Sequence, residues 1–181
     1  MARTEIAGLT FVGAARIRSD NHAGPTWAAK GEKPIVQATG SRHGMSLMPA
    51  TPSRGKMRLM IKDKSGVNAA VFIAFLQRLI AGARGVIFLI VDRGPAYAAK
   101  KTRAFGERVK GSLRLFYRSP YSPDRNPDAL VWKHRKADTV GCMAVSSKDD
   151  FESNARSSMR QRHPPAKIRS LYQCPSLRYA A

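Results

Sequence analysis

The spacing of apolar residues changes period several times along this chain, and each change marks an element. Residues 9–15 (LTFVGAA) form a short apolar run that reads as a first strand. Residues 20–34 (DNHAGPTWAAKGEKP) are turn-rich and read as a loop. QATGSR at 37–42 and MSLMPA at 45–50 predict the next strand. Pro49 puts that strand's end at an edge or a bulge, because proline has no N–H for a sheet ladder. The turn TPSRGK at 51–56 leads into MRLMIK at 57–62. Three strands joined by short turns predict an antiparallel meander.

From Asn68 the period lengthens. Val71, Phe72, Phe75, Leu76, Leu79 and Ile80 recur at helical spacing, with Asn68 as the N-cap and Gly82 or Gly85 at the exit. GVIFLIVD at 85–92 is a continuous β-branched and aromatic run, suited to a central strand buried on both faces. A second helix is predicted over 96–110, with Ala98, Thr102, Phe105 and Val109 as a narrow apolar face. LRLFY at 113–117 reads as a further strand, and SPYSPDRNP at 119–127 as a stiff loop. Asn126 then caps a helix with Pro127 at its first position and Leu130, Val131 and His134 on its inner face. Ser147 and Asp150 form a capping box before a helix striped by Phe151, Ala155 and Met159. A short helix near 165–173 carries Ile168, Leu171 and Tyr172. This order predicts a mixed α/β sheet with helix cover.

A length of 181 residues suits one domain with a sizeable core. No apolar run approaches the roughly 20 residues that span a bilayer, and the first residues carry no signal-peptide pattern. Cys142 and Cys174 form no CxxC, so neither a disulfide framework nor a cysteine zinc site is expected; the chain reads as cytoplasmic. The net charge is +20, from 32 Lys and Arg against 12 Asp and Glu. The excess runs through both halves, and it is densest over 100–118, where Glu107 alone offsets Lys100, Lys101, Arg103, Arg108, Lys110, Arg114 and Arg118. Such a field favours a polyanion through phosphate neutralisation and counterion release. A solvated basic surface would look the same. No long basic amphipathic helix suggests a membrane, so nucleic acid is the expected partner.

Candidate chemistry is sparse. His22, His43, His134 and His163 lack metal-ligand spacing and read as surface or packing residues. There is no phosphate-cradling glycine loop, no nucleophile elbow, and no pattern for a small-molecule substrate. Asp92 stands apart. A carboxylate closing an apolar run costs free energy unless it is exposed or paired. Two readings fit it equally: a cap for the turn through Gly94 and Pro95, or a metal-ligand carboxylate at the sheet's carboxyl edge.

LIVDRGPAYAAKKTRAF (89–105), LRLFYRSPYSPDRNPDALVWKHRKADTV (113–140) and SLRYA (176–180) resemble the mariner-like insertion-sequence transposases of bacteria, as does RIRSDNHAGPTWAAKGEKP (16–34). The combination of VDRGPA and PYSPDRNPD is the specific part of the likeness. The resemblance implies a DDE endonuclease domain with a ribonuclease H-like, mixed five-stranded sheet. It implies two Mg²⁺ or Mn²⁺ ions about 3.5–4 Å apart, held by three acids, cutting and joining double-stranded DNA during transposition. Asp92 matches the second acid. Gly13 and Ala14 stand where the family has an Asp-Glu pair, Ala129 stands at the third acid, and Tyr97 replaces a histidine. Asp128 is a poor substitute, rotated by about 100° on a helix, and Asp20 is weaker still. Arg93, Lys100, Lys101, Arg103, Arg118 and Arg125 become candidate phosphate contacts.

The expectation is therefore a truncated, catalytically impaired transposase homologue with weak or lost metal binding. Its catalytic domain would span 1–145, with a helical extension over 146–181 and no helix-turn-helix region ahead of it. If DNA-bound, it would sit at a bacterial nucleoid, alone, with copies of itself, or with an intact transposase. The alternative is a non-catalytic DNA-binding protein or regulator derived from such an enzyme.

Overall fold

The computed structural model describes residues 6–19, 29–31, 43–53, 57–63, 66–118, 147–160, 169–170 and 173. The strands are β1 (Ile6–Val12), β2 (Ala15–Arg18), β3 (Gly44–Pro52), β4 (Arg58–Asp63), β5 (Val86–Val91) and β6 (Leu113–Tyr117). The helices are α1 (Ala69–Ala81), α2 (Pro95–Ala98), α3 (Lys100–Arg108) and α4 (Lys148–Arg160). The predicted helices after Asn126 and near 165–173 lie outside the described residues, apart from helical Arg169 and Ser170 and from Gln173, which stands in a turn.

The first strand is broken where one run was expected. β1 and β2 share a single register against β3, with Val12 opposite Ala50 and Ala15 opposite Leu47. They are one strand interrupted at Gly13 and Ala14. Pro49 explains the gap. Ser53 N–H donates to Leu9 O at 2.9 Å, and the alternation of an antiparallel ladder carries that direction to Pro49, opposite Gly13. Pro49 has no proton to give there. The strand nevertheless continues through it to Pro52, so Pro49 marks an interruption in the neighbouring strand and not the end of its own.

Counting β1 and β2 as one, the sheet has five positions in the order β4, β3, β1/β2, β5, β6. The meander is antiparallel, and β5 runs parallel to both β1 and β6. Loops after β1 and β5 therefore leave the same end of the sheet.

One face is covered by α1, α2 and α3. Phe72, Phe75, Leu76 and Leu79 of α1 pack with Met48, Ala50, Ile87, Leu89 and Val91. Asn68 caps α1, its Oδ1 accepting from Val71 N–H at 3.0 Å. At the other end Arg58 donates to the carbonyls of Leu79 at 3.2 Å and of Gly82, satisfying groups the helix leaves open. On the opposite face α4 sets Phe151 and Ala155 against Ile17, Met45 and Leu47. Ser147 caps it as expected, accepting from Asp150 N–H at 3.1 Å. Burial along β5 alternates, with Ile87, Leu89 and Val91 buried and the residues between them half-buried. The strand is central, but its two faces are not equally covered. Among the described residues no helix is long and apolar enough to cross a membrane.

Candidate active site at the carboxyl end of the sheet

Val12 and Val91 are paired in parallel register, and both are buried. The next residues, Gly13 and Asp92, therefore leave the sheet side by side, on strands about 4.8 Å apart. Ala14 follows, exposed. Asp92 is half-buried, and its Oδ1 accepts from Gly94 N–H at 2.9 Å. Of the two readings of Asp92, the turn-capping one is realised in full. It occupies one carboxylate oxygen, and among the described residues Oδ2 has no hydrogen bond.

The chain turns sharply after this residue. Gly94 precedes α2, with Pro95 at its first position. A Cβ on Gly94 would stand 3.0 Å from Asp92 Oδ1 and 3.2 Å from Tyr97 Cδ2, a tight approach that glycine relieves. The single helix predicted over 96–110 is instead two, hinged at extended Ala99 (φ −57, ψ 143). The reason is geometric. Positions 97 and 102 in one continuous helix would differ by about 140° in direction. With the break, Tyr97, Thr102, Phe105 and Gly106 are all buried. The predicted face member Ala98 gives way to Tyr97, whose ring meets Phe72 edge-on at 4.6 Å. Thr102 Oγ1 donates to Ala96 O at 2.8 Å and Tyr117 OH to Tyr97 O at 3.0 Å, which ties the hinge down.

Around the site the charge is positive. Arg93 is exposed beside Asp92. Arg118 N–H donates to Val91 O at 2.9 Å, which brings Arg118 to the same edge. Its Nη1 is buried with no hydrogen-bond partner among the described residues. Lys100, Lys101 and Arg103 are exposed on the first turn of α3, at the positive end of the helix dipole. Asp20, Arg125, Asp128 and Ala129 lie outside the described residues. Missed by sequence reasoning was a groove of about 700 Å³ between α3 and β6, where Lys110 and Arg114 join Arg93 and Arg103. Their convergence depends on how α3 seats against β6, and no local pattern encodes it.

A pair of hard divalent cations needs several oxygen ligands. Among the described residues no group of three or more His, Cys, Asp or Glu side chains could hold a metal. At the site those residues offer Asp92 alone, so this donor set does not fit a two-metal centre.

The sheet order and the single acid closing β5 define a ribonuclease H-like α/β domain. The chain belongs to the DDE superfamily endonuclease family, whose sequence pattern matches residues 9–152. No curated protein matches the sequence. Among solved structures, the chain is similar to the Mos1 strand transfer complex, 15% identical with a TM-score of 0.69, over 96% of this chain and 53% of that one. It is similar to the Mos1 mariner paired end complex with Mn, at 14% identity and a TM-score of 0.65, over 98% and 55% of the two chains. The catalytic domain of Mos1 mariner transposase is 12% identical with a TM-score of 0.61, over 98% and 84%. These likenesses are of fold. The chain spans about half the length of the transposase chains in the two complexes.

Proposed function

We propose that this chain is a DNA transposase catalytic-domain homologue that binds duplex DNA but is impaired in cutting it. The observation that carries the reading is the pairing of Val12 with Val91, which sets Gly13 beside Asp92 where the family fold brings two acids together. The third acid position, by the resemblance, is Ala129. With two of three carboxylates absent, nothing offsets the repulsion between two divalent ions, and the family's cleavage and strand transfer have no metal pair to run on.

Duplex DNA is the proposed partner for three reasons. The chain carries a net charge of +20. Arg93, Lys100, Lys101 and Arg103 are exposed on the elements leaving the site. The similar Mos1 structures include a strand transfer complex and a paired end complex. A protein that holds DNA without cutting it competes with an intact relative for the same sites.

The test is nicking of supercoiled DNA in Mg²⁺ or Mn²⁺, with a gel-shift series alongside. Salt-sensitive binding with no nicking above an Asp92→Ala control is the expected result. Nicking abolished by both Asp92→Ala and Asp128→Ala would overturn the reading and make Asp128 the substitute acid.

A further inference from the structure

We infer that the outer edge of β6 is a docking strand for an acidic, extended peptide segment of another protein, which adds to the sheet in the groove beside α3. The inference does not depend on the state of the cleavage site.

β6 pairs with β5, and among the described residues no strand pairs with its other side. Two bonds fix which backbone groups face outward: Ile87 N–H donates to Ser112 O, and Arg118 N–H donates to Val91 O, both at 2.9 Å. A parallel ladder with those ends turns the N–H groups of Arg114, Phe116 and Arg118 toward β5. The N–H groups of Leu115 and Tyr117, and the carbonyls of Leu113, Leu115 and Tyr117, then point away from the sheet. Leu113 N–H is already engaged by Val109 O at 2.8 Å, so the first free outward N–H is that of Leu115. Leu115, Phe116 and Tyr117 line the groove.

The rim selects for charge. Arg93, Arg103, Lys110 and Arg114 line the groove against Glu107 alone, and Glu107 is paired with Lys110. Arg103 is held over the ring of Tyr117 on β6 at 5.7 Å, which keeps its guanidinium beside the edge, while Arg114 leans over Phe88 on the β5 side at 5.9 Å. Cations on an edge strand keep like chains from pairing with it. A second copy of this +20 chain is repelled in the same way. The same cations attract an acidic strand.

The mixed character of the edge decides between peptide and nucleic acid. A phosphate backbone offers acceptors only and would meet three outward carbonyls. A peptide backbone offers donors and acceptors in the alternation that strand addition uses. Phe116, 47% exposed, gives an apolar contact on the face shared with Arg114. The expected ligand alternates acidic and apolar side chains.

The test uses the full chain and a fluorescein-labelled nonapeptide of alternating Glu and Val, read by anisotropy. Its control is the same peptide with alternate backbone nitrogens methylated, which keeps the charge and blocks strand pairing. Methylation is expected to weaken binding about tenfold or more, since at least two hydrogen bonds are lost. Leu115→Pro, which removes an outward N–H and spares the β5 ladder, should weaken binding similarly. So should the exposed double reversal Arg103→Glu/Lys110→Glu. Equal affinity for the methylated peptide overturns the proposal, and this arm needs no variant to fold. Failure of the parent peptide to bind also overturns it. If the parent peptide fails to bind and Lys110→Glu alone, which lies outside the proposed DNA contacts, weakens binding of a short DNA duplex, the groove belongs to nucleic acid.

Discussion

Asp92 avoids the cost of closing an apolar strand by standing half in solvent and accepting a backbone N–H from Gly94. That bond separates two substitutions. Asp92→Asn keeps an acceptor at Oδ1 and should leave the unfolding free energy from urea titration within about 0.5 kcal/mol of the parent. Asp92→Ala removes the acceptor and should cost about 1 kcal/mol. Both remove the carboxylate, so Asp92→Asn isolates chemistry from stability. Gly94→Ala places a methyl 3.0 Å from Asp92 Oδ1, so the carboxylate must give by a few tenths of an ångström and its bond to the residue-94 N–H should weaken. Asn68 was legible as an N-cap because its side chain chemistry suffices locally, and Asn68→Ala should cost about 1 kcal/mol. The role of Pro49 was legible only in part. The sequence says that proline lacks a donor, but which neighbour misses that donor depends on register, and register assigns it to Gly13.

At the scale of elements, those with a strong period or cap were readable: α1, β5, β6 and the start of α4. The break between α2 and α3 was not. Ala99 carries no helix-breaking chemistry, and the hinge exists because Tyr97 and Phe105 must reach one core. Gly106 faces the Leu115 side chain of β6, since a Cβ there would meet Leu115 Cδ1 at 2.9 Å. Gly106→Val should therefore push α3 outward and cost about 1–3 kcal/mol by thermal melting. It should also reshape the groove beside β6. On the other face α4 depends on Phe151, 1% exposed, which packs with Ile17, Met45 and Leu47. Phe151→Ala should cost about 3–5 kcal/mol and release the helix, seen as faster amide exchange over 148–160.

For the whole molecule, charge and site point in different directions. The chain carries a net charge of +20, which suits the proposed DNA partner, while the described part of the site holds one acid. If DNA binding uses Arg93, Lys100, Lys101 and Arg103, replacing all four with Ala should flatten the log–log dependence of affinity on salt by about 0.9 for each lost contact. Asp92 could be singled out from sequence because an acid after an apolar run is costly. The role proposed for Gly13 could not be derived from its own chemistry, since a lost carboxylate would leave no local signal. It needed the resemblance, and then the pairing of Val12 with Val91. If Gly13 and Ala129 stand at lost acid positions around Asp92, the Gly13→Asp/Ala14→Glu/Ala129→Glu variant should regain a metal site, which melting with Mn²⁺ reads out. The parent protein should show no Asp92-dependent shift with Mn²⁺. The variant should gain about 2.7 kcal/mol at a hundredfold excess over its dissociation constant, a rise of roughly 5–10 °C that Asp92→Ala abolishes. A variant whose melting temperature ignores Mn²⁺, or a parent that already shows the Asp92-dependent rise, would contradict the account.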